Sequence, residues 1–269
     1  EPVAPPEFYG EDRVFVHISL DSEAEDRLTR SVAALGDAGQ PVIAIRLKDR
    51  LDLAQEFFRW EVATALAGAV LGINPFDQPN VQESKQNTNR LLKEVEENGE
   101  LPKDSAQLTD GPLQLYLPSG AAGDTLSGTL AQFFDQVRPG DYIALLAYLT
   151  EDAAIGSLLD AIRLRLQQQF KTAVTMGYGP RYLHSTGQYH KGGPDSGVYV
   201  QLTADDADDM EIPGKPYSFG TLRKAQAQGD LQALDGRGRR VMRLHLGADA
   251  AMGLARFKRV LETILQGKD

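Results

Sequence analysis

The sequence alternates between strand-like and helix-like segments over most of its length. Runs rich in β-branched and apolar residues predict strands, and most are followed by a longer segment whose apolar residues recur at helical spacing. This alternation is typical of an α/β fold, in which helices flank a mainly parallel sheet. We predict strands at 13–20, 41–47, 113–117, 141–149, 171–179, 197–204 and 239–247, and helices at 22–38, 52–71, 79–98, 126–137, 152–169, 218–234 and 249–266.

The 269 residues are enough for one large or two ordinary domains. We predict a first α/β unit over residues 1–100, a turn-rich linker over 101–125 and a second α/β lobe over 126–269. The helix at 52–71 has apolar residues around most of its circumference, so we expect it to be buried. Gly229 is a candidate interruption of the helix at 218–234.

Composition excludes several classes of function. The chain has no cysteine, which excludes disulfides, thiolate metal sites and a cysteine nucleophile. Its net charge of −10 argues against a general nucleic-acid binder. No window approaches the ~20 apolar residues of a membrane span, so we expect a cytoplasmic protein without a membrane partner. The Pro-rich start without methionine suggests a piece of a longer chain.

Residues 68–85, GAVLGINPFDQPNVQESK, predict a helix, a turn and the start of a second helix. Gly72 suits the left-handed end of a helix, Pro75 prevents its continuation, and Asp77 is a good N-cap for the next helix. A helix start directs free N–H groups toward whatever precedes it, which suits an anionic ligand such as a phosphate ester.

Three polar residues of this stretch are candidate ligand contacts. Asn74 and Gln78 lie at the predicted helix start, and Lys85 follows Gln78 by two helical turns on the same face. An amide and an ammonium group there would suit an anionic ligand such as a phosphate ester. From spacing alone, a surface helix whose polar residues face water remains the alternative.

A second cluster, GPRYLHSTGQYHKGGPDSG at 179–197, connects two predicted strands of the second lobe. Glycines allow close approach of the backbone to a ligand, histidines carry protons near neutral pH, and Arg and Lys bind phosphate. Ligands of open α/β sheets bind at such connections. The alternative is a long surface loop with incidental histidines. The candidate residues are Arg181, His184, Ser185, Thr186, Gln188, His190 and Lys191.

Metal and hydrolase chemistry have less support. A zinc site from His184 and His190 is conceivable, but no spacing rule for metal ligands is met. Ser185 lacks the context of a nucleophile elbow. His17 and His245 lie within predicted strands, where histidines are more often structural. We therefore expect no metal site.

With these residues in view, GAVLGINPFDQPNVQESK resembles the C-terminal signature of phosphoglucose isomerase, in which an NPFDQ-type turn leads into a helix ending in a lysine. FFRWEVATALAGAVLG resembles the helix before that signature, and residues 13–90 are similar to the end of the family's second sugar-isomerase (SIS) domain. The segments GPRYLHSTGQYHKGGP and FGTLRKAQAQGDLQAL are similar to the isomerase half of bifunctional transaldolase/phosphoglucose isomerase fusions. The resemblance implies an SIS-type parallel sheet with flanking helices, followed by a second α/β lobe.

The resemblance also implies an activity, the interconversion of glucose 6-phosphate and fructose 6-phosphate, without a cofactor. Gln78 then corresponds to a glutamine that contacts phosphate and sugar, and Lys85 to the lysine that assists ring opening. A carboxylate base transfers a proton between C2 and C1 through an enediol, and the lysine stabilises the developing oxyanion. The implied partners are upstream sugar-isomerase and transaldolase domains and a second subunit in a homodimer.

The sequence departs from the family at three points. The family's catalytic histidine lies in a GQH-type segment before the lysine signature, whereas STGQYHK follows it here, so His184 and His190 are both candidates. The ESNGK-like segment that carries the base glutamate is missing, and so is the first SIS domain. The alternative function is a non-catalytic sugar-phosphate-binding or scaffolding module attached to transaldolase.

Overall fold

The computed structural model describes residues 3–22, 27–120 and 122–266. The chain divides into two compact units, Glu1–Gln78 and Pro79–Asp269. The boundary differs from the predicted one at residue 100, because the helix that starts at Pro79 belongs to the second unit.

The first unit is a β–α–β arrangement followed by a long helix. Its two strands are parallel, with Phe15 opposite Val42 and Leu20 opposite Leu47. The intervening helix buries Val32 and Leu35. The elements are β1 Phe15–Leu20, α1 Arg27–Asp37, β2 Val42–Leu47 and α2 Leu53–Leu71.

The expectation that the helix at 52–71 is buried was wrong. Large apolar side chains of α2 face solvent, among them Phe57, Phe58 and Val70, whose exposed fractions are 63%, 69% and 87%. A helix that is apolar on all sides needs cover on several sides, and the described part of this unit offers a two-stranded sheet and one other α-helix. Within the described ranges no helix, α2 included, is long and apolar enough to cross a membrane.

The second unit is built on a six-stranded sheet with the order β3-β4-β8-β7-β5-β6. Strands β8, β7, β5 and β6 run parallel, whereas β3 and β4 are antiparallel to their neighbours. The elements are α3 Pro79–Asn98, β3 Leu108–Asp110, β4 Leu113–Tyr116, α4 Leu126–Phe134, β5 Tyr142–Tyr148, α5 Ala153–Phe170, β6 Ala173–Tyr178, α6 Gly187–Gly192, β7 Gly197–Thr203, α7 Phe219–Asp235, β8 Arg240–His245 and α8 Ala250–Leu265.

Helices cover both faces of this sheet, so the prediction of an α/β fold is confirmed. On one face α4, α5 and α8 form the larger apolar core with alternate strand residues. On the other face α7 packs on strand residues such as Leu146 and Tyr199. Helix α3 then packs on α7, where Leu91 and Leu92 contact Ala225.

The predicted linker at 101–125 contains two strands of the sheet. β4 pairs with β8 and β3 pairs with β4, so part of this stretch is an integral edge of the second unit. β3 was not predicted because its three residues, Leu-Thr-Asp, carry no clear alternation of apolar and polar side chains.

Gly229 lies where α3 and α7 cross. α7 continues without a break through this residue. A Cβ atom added to Gly229 would lie 2.8 Å from the hydroxyl oxygen of Thr88 and 2.9 Å from its backbone nitrogen. Glycine therefore allows α3 and α7 to approach closely here, and it does not interrupt α7.

Candidate functional site

The NPFD turn that follows α2 folds back on the end of that helix. Gly72 adopts the left-handed conformation with φ of 68°, which ends α2. The side-chain oxygen of Asn74 accepts a hydrogen bond of 3.1 Å from the backbone N–H of Phe76. Pro75 lies against Gly68, where an added Cβ would approach the Pro75 ring to 2.5 Å. The local sequence therefore produces the predicted turn.

The candidate residues of this stretch are divided between the two units. Asn74 and Gln78 are exposed residues of the first unit, and Lys85 is an exposed residue of the second. Because α3 begins at Pro79, Gln78 precedes the helix that carries Lys85. Each residue is therefore considered within its own unit.

Lys85 and His184 line one cavity of about 240 Å³, which we call the α3–α7 cavity. It lies between α3, α7 and the segment after β6. Two residues that are far apart in sequence, one from each predicted cluster, thus meet at one site. The side chains that line it come from Val81, Ser84, Lys85, Thr88, Asn89, Leu92, Pro180, Leu183, His184, Leu222 and Gln226.

Helix α3 presents Lys85 to this cavity through helical spacing. Lys85 and Thr88 are neighbours on the surface of α3, and so are Ser84 and Thr88, because residues three or four positions apart lie side by side on a helix. The start of α3 is held by Gln188, whose side-chain oxygen accepts a hydrogen bond of 2.9 Å from the backbone N–H of Asn80. The side chain of Gln188, a predicted substrate contact, therefore caps α3 in this structure.

His184 ends a 3₁₀ segment, Arg181–His184, that follows β6. Three of its predicted companions do not line the cavity. Arg181 is exposed and forms an ion pair of 2.8 Å with Glu151. Ser185 donates a hydrogen bond of 3.1 Å to the carbonyl oxygen of Tyr182, and Thr186 is exposed.

His190 has a very different environment from His184. It is buried among the rings of Tyr142, Tyr182 and Tyr199, with ring centroids 5.2–6.1 Å away. Burial lowers its pKa to about 4, so the imidazole is neutral at pH 7. It does not line the α3–α7 cavity.

Lys191 is fully buried and forms an ion pair with Asp230. The ammonium nitrogen lies 2.5 Å from a carboxylate oxygen, and neither side chain is more than 1% exposed. The hydroxyl of Tyr182 also donates to Asp230, and the hydroxyl of Ser84 lies 3.4 Å from it. Desolvation raises the pKa of Tyr182, so the phenol stays protonated. Lys191 therefore supports the wall of the cavity and does not face into it.

The amide and hydroxyl residues that accompany Lys85 and His184 were not predicted from the sequence. Thr88, Asn89 and Gln226 line the cavity, and the spacing of Lys85, Thr88 and Asn89 along α3 was the available signal. None of the described residues that line the cavity is a carboxylate. Among described residues, no three His, Asp or Glu side chains are grouped so that they could hold a metal ion.

The arrangement is suited to binding an anion and to exchanging protons. One exposed ammonium group, one exposed imidazole and several neutral polar groups surround a small cavity. Groups of these types bind anions and stabilise negative charge that develops on an oxygen atom.

Comparisons with known proteins link part of this chain to one enzyme. No protein-family model matches the chain. Over 63 residues, 23% of the chain, it is 40% identical to a glucose-6-phosphate isomerase from Lactobacillus helveticus, and the match spans 14% of that protein. A hypothetical protein of known structure from Thermus thermophilus is 16% identical, with a TM-score of 0.46, covering 93% of this chain and 57% of its own. The local match supports a limited relationship to glucose-6-phosphate isomerase.

Proposed function

We propose that this chain is part of an aldose–ketose isomerase that interconverts glucose 6-phosphate and fructose 6-phosphate. The 63-residue match to a glucose-6-phosphate isomerase supports the reaction class. The observation that carries the proposal is the presence of Lys85 and His184 on the wall of one cavity. These are the two residue types that ring opening and charge stabilisation require.

In this proposal Lys85 and His184 have separate roles. The Lys85 ammonium stabilises negative charge on the substrate oxygen during ring opening and on the enediolate that follows. His184 transfers a proton to and from the ring oxygen, a role for which imidazole is well suited near neutral pH. Ser84, Thr88 and Gln226 are the candidates for binding sugar hydroxyls, because their polar side chains line the same cavity.

The base that moves the proton between C1 and C2 lies outside this cavity lining, which contains no carboxylate among its described residues. We propose that it comes from another part of a longer polypeptide, in keeping with a match that spans 14% of the relative. The upstream SIS-type and transaldolase domains, and a homodimer, are the partners that the sequence resemblance implies. The roles expected of Asn74 and Gln78 in phosphate and sugar binding stay predictions.

The lack of a carboxylate among the described lining residues also favours a second candidate. In that alternative, the chain is a sugar-phosphate-binding module that scaffolds or regulates a transaldolase without catalysing isomerisation. Binding would then depend on Lys85, and no isomerase turnover would accompany it.

The test is an isomerase assay of the full-length parent protein with fructose 6-phosphate as substrate. We expect Lys85→Ala to lower kcat by about a hundredfold or more, because transition-state charge loses its stabilising cation. Lys93→Ala is the matched control, since Lys93 lies on the same helix, is 74% exposed and does not line the cavity. His184→Asn should lower kcat strongly as well.

Three outcomes separate the possibilities. Unchanged turnover in Lys85→Ala would exclude the proposed role of this lysine. Binding of fructose 6-phosphate without turnover in the unmodified full-length protein would favour the scaffolding alternative. A loss of kcat in a folded His190→Asn variant, with His184→Asn unaffected, would assign the proton transfer to the other histidine.

A further inference from the structure

A second cavity, of about 280 Å³, lies at the carboxyl ends of β7 and β8, and we call it the β7–β8 cavity. The sheet register aligns polar side chains in two rows across its floor. His245 lies opposite Gln114 on one side and Thr203 on the other, and Arg243 lies opposite Tyr116. The carboxyl ends of parallel strands are the usual place for ligands in open α/β sheets.

Helix α7 forms a wall of this cavity with Lys224 and Gln228. The side-chain nitrogen of Gln228 donates to the backbone oxygen of Pro102 over 3.3 Å. Its side-chain oxygen is buried and has no hydrogen-bond partner among the described residues. A buried acceptor of this kind favours a ligand that brings a hydroxyl donor.

The charged side chains that line this cavity are mostly cationic, although the chain as a whole carries −10. Lys103, Lys224 and Arg243 line it, against one carboxylate, Asp104. The carboxylate nearest to the Lys224 ammonium is Asp206, at 3.9 Å, and that carboxylate also pairs with an arginine. Lys103 pairs with Glu100 over 3.1 Å, so each of the three cations has a carboxylate partner, and an incoming anion must compete with those carboxylates.

Arg243 is fixed in position for anion binding. Its guanidinium carbon lies 3.9 Å from the centroid of the Tyr116 ring, and its side chain is 8% exposed. One guanidinium nitrogen lies 3.0 Å from a carboxylate oxygen of Asp104, whose side chain is 43% exposed. Asp104 belongs to the stretch 101–105, which has no regular secondary structure. The exposed Asp104 carboxylate, on a segment that is neither helix nor strand, therefore lies beside the nearly buried Arg243 guanidinium. It occupies the place where another anion would bind.

We propose that the β7–β8 cavity binds a small hydroxyl-bearing phosphate monoester, with its phosphate on Arg243 and Lys224 in place of the Asp104 carboxylate. A guanidinium held on an aromatic ring matches the paired oxygens of a phosphate. The unpartnered Gln228 oxygen accepts from a ligand hydroxyl. The cavity volume suits a small metabolite better than a nucleotide-sized ligand. This site uses neither Lys85 nor His184, so it goes beyond the isomerase proposal.

The test is isothermal titration calorimetry of the full chain with glycerol 3-phosphate, inorganic phosphate and glycerol as separate probes. Each titration is carried out in the Lys85→Ala background as well, so that binding at the α3–α7 cavity is separated from binding here. We expect glycerol 3-phosphate to bind more tightly than inorganic phosphate, glycerol not to bind, and Lys85→Ala to leave the affinity unchanged.

Two substitutions of exposed side chains should change the affinity in opposite directions. Lys224→Gln should weaken binding about threefold to tenfold, because one phosphate contact loses its charge. Asp104→Asn should tighten binding about threefold, because the competing carboxylate loses its charge. Lys93→Gln, on the exposed side of α3, is the control and should leave the affinity unchanged.

Several results would overturn the proposal. The proposal fails if glycerol 3-phosphate does not bind at millimolar concentration, or if inorganic phosphate binds equally well. It also fails if neither Lys224→Gln nor Asp104→Asn changes the affinity. Loss of binding in Lys85→Ala would also overturn it, because the ligand would then lie in the α3–α7 cavity. Loss of isomerase activity alone leaves this site unaffected, so the two proposals fail separately.

Discussion

The ammonium nitrogen of Lys191 lies 2.5 Å from a carboxylate oxygen of Asp230, with both side chains buried. Removing one partner of a buried ion pair leaves an uncompensated charge. We expect Asp230→Asn to lower the free energy of unfolding by about 3–5 kcal/mol, measured by urea denaturation.

A second substitution distinguishes loss of the pair from loss of packing. Adding Lys191→Met to Asp230→Asn removes the unpaired ammonium and should restore much of the lost stability. Lys93→Met, at an exposed position, should change the free energy of unfolding by less than about 0.5 kcal/mol. A double variant that is less stable than Asp230→Asn would contradict this account.

The close crossing of α3 and α7 predicts opposite effects of alanine at two helical glycines. Gly229→Ala places a methyl group 2.8 Å from the Thr88 hydroxyl oxygen, so the helices must separate. We expect a loss of about 1–3 kcal/mol in the free energy of unfolding, despite the better helix propensity of alanine.

Gly156→Ala in α5 is the matched control, because the nearest atom to its added Cβ is 4.0 Å away. Helix propensity should then dominate and raise stability by about 0.5–1 kcal/mol. Equal effects of the two substitutions in thermal unfolding would contradict the steric explanation.

The buried imidazole of His190 predicts a pH dependence of stability. Its pKa is about 4 in the folded chain, whereas the ordinary value is 6.5. Between these values the unfolded chain binds the proton and the folded chain does not. The contribution of His190 to stability is therefore complete above pH 6.5 and decreases as the pH falls toward 4.

Comparing the wild type with His190→Gln isolates the effect of His190 on the pH dependence of stability. Urea denaturation at pH 7 and pH 5 should show that the wild type loses about 2 kcal/mol more than the variant over this interval. The carboxylates and His245, whose pKa is also lowered by burial, are the same in both proteins and cancel. Identical pH profiles would show that His190 is not the group responsible.

Gln188 caps the start of α3, and substitution of Gln188 tests how much this cap contributes to stability. Gln188→Ala leaves the backbone N–H of Asn80 without its acceptor and should cost about 1 kcal/mol of stability. The amide hydrogen of Asn80 should exchange faster in the variant, as followed by NMR. Gln86→Ala, at an exposed position of the same helix, should leave both quantities unchanged.

The sequence predicted the strands and helices well where their apolar pattern is strong. β5 was found because all but its first residue are buried, which gives a nearly continuous apolar run. β3 was missed because it has three residues, and α6 because six residues rich in glycine and polar side chains resemble a loop. Local pattern carries little information on elements so short.

The environment of each candidate residue was less predictable than the elements. His184 and His190 lie in one segment and are chemically identical, yet one is exposed at a cavity and the other is buried among tyrosines. The difference depends on α6, on Tyr199 of β7 and on Tyr142 of β5, which is distant in sequence. Likewise, the burial of Lys191 depends on Asp230 in α7. Such tertiary contacts do not follow from the local pattern of either partner.

Helix α3 is attached to the rest of the second unit on both sides of Lys85. Asn80 is bound by the segment that carries the two candidate histidines, and Thr88 contacts α7 at Gly229. Sliding of α3 along its axis by one helical turn, about 5.4 Å, would break both attachments. The position of the Lys85 ammonium in the α3–α7 cavity is therefore set by rotamers of its exposed side chain, on the picosecond-to-nanosecond timescale, and not by movement of the helix.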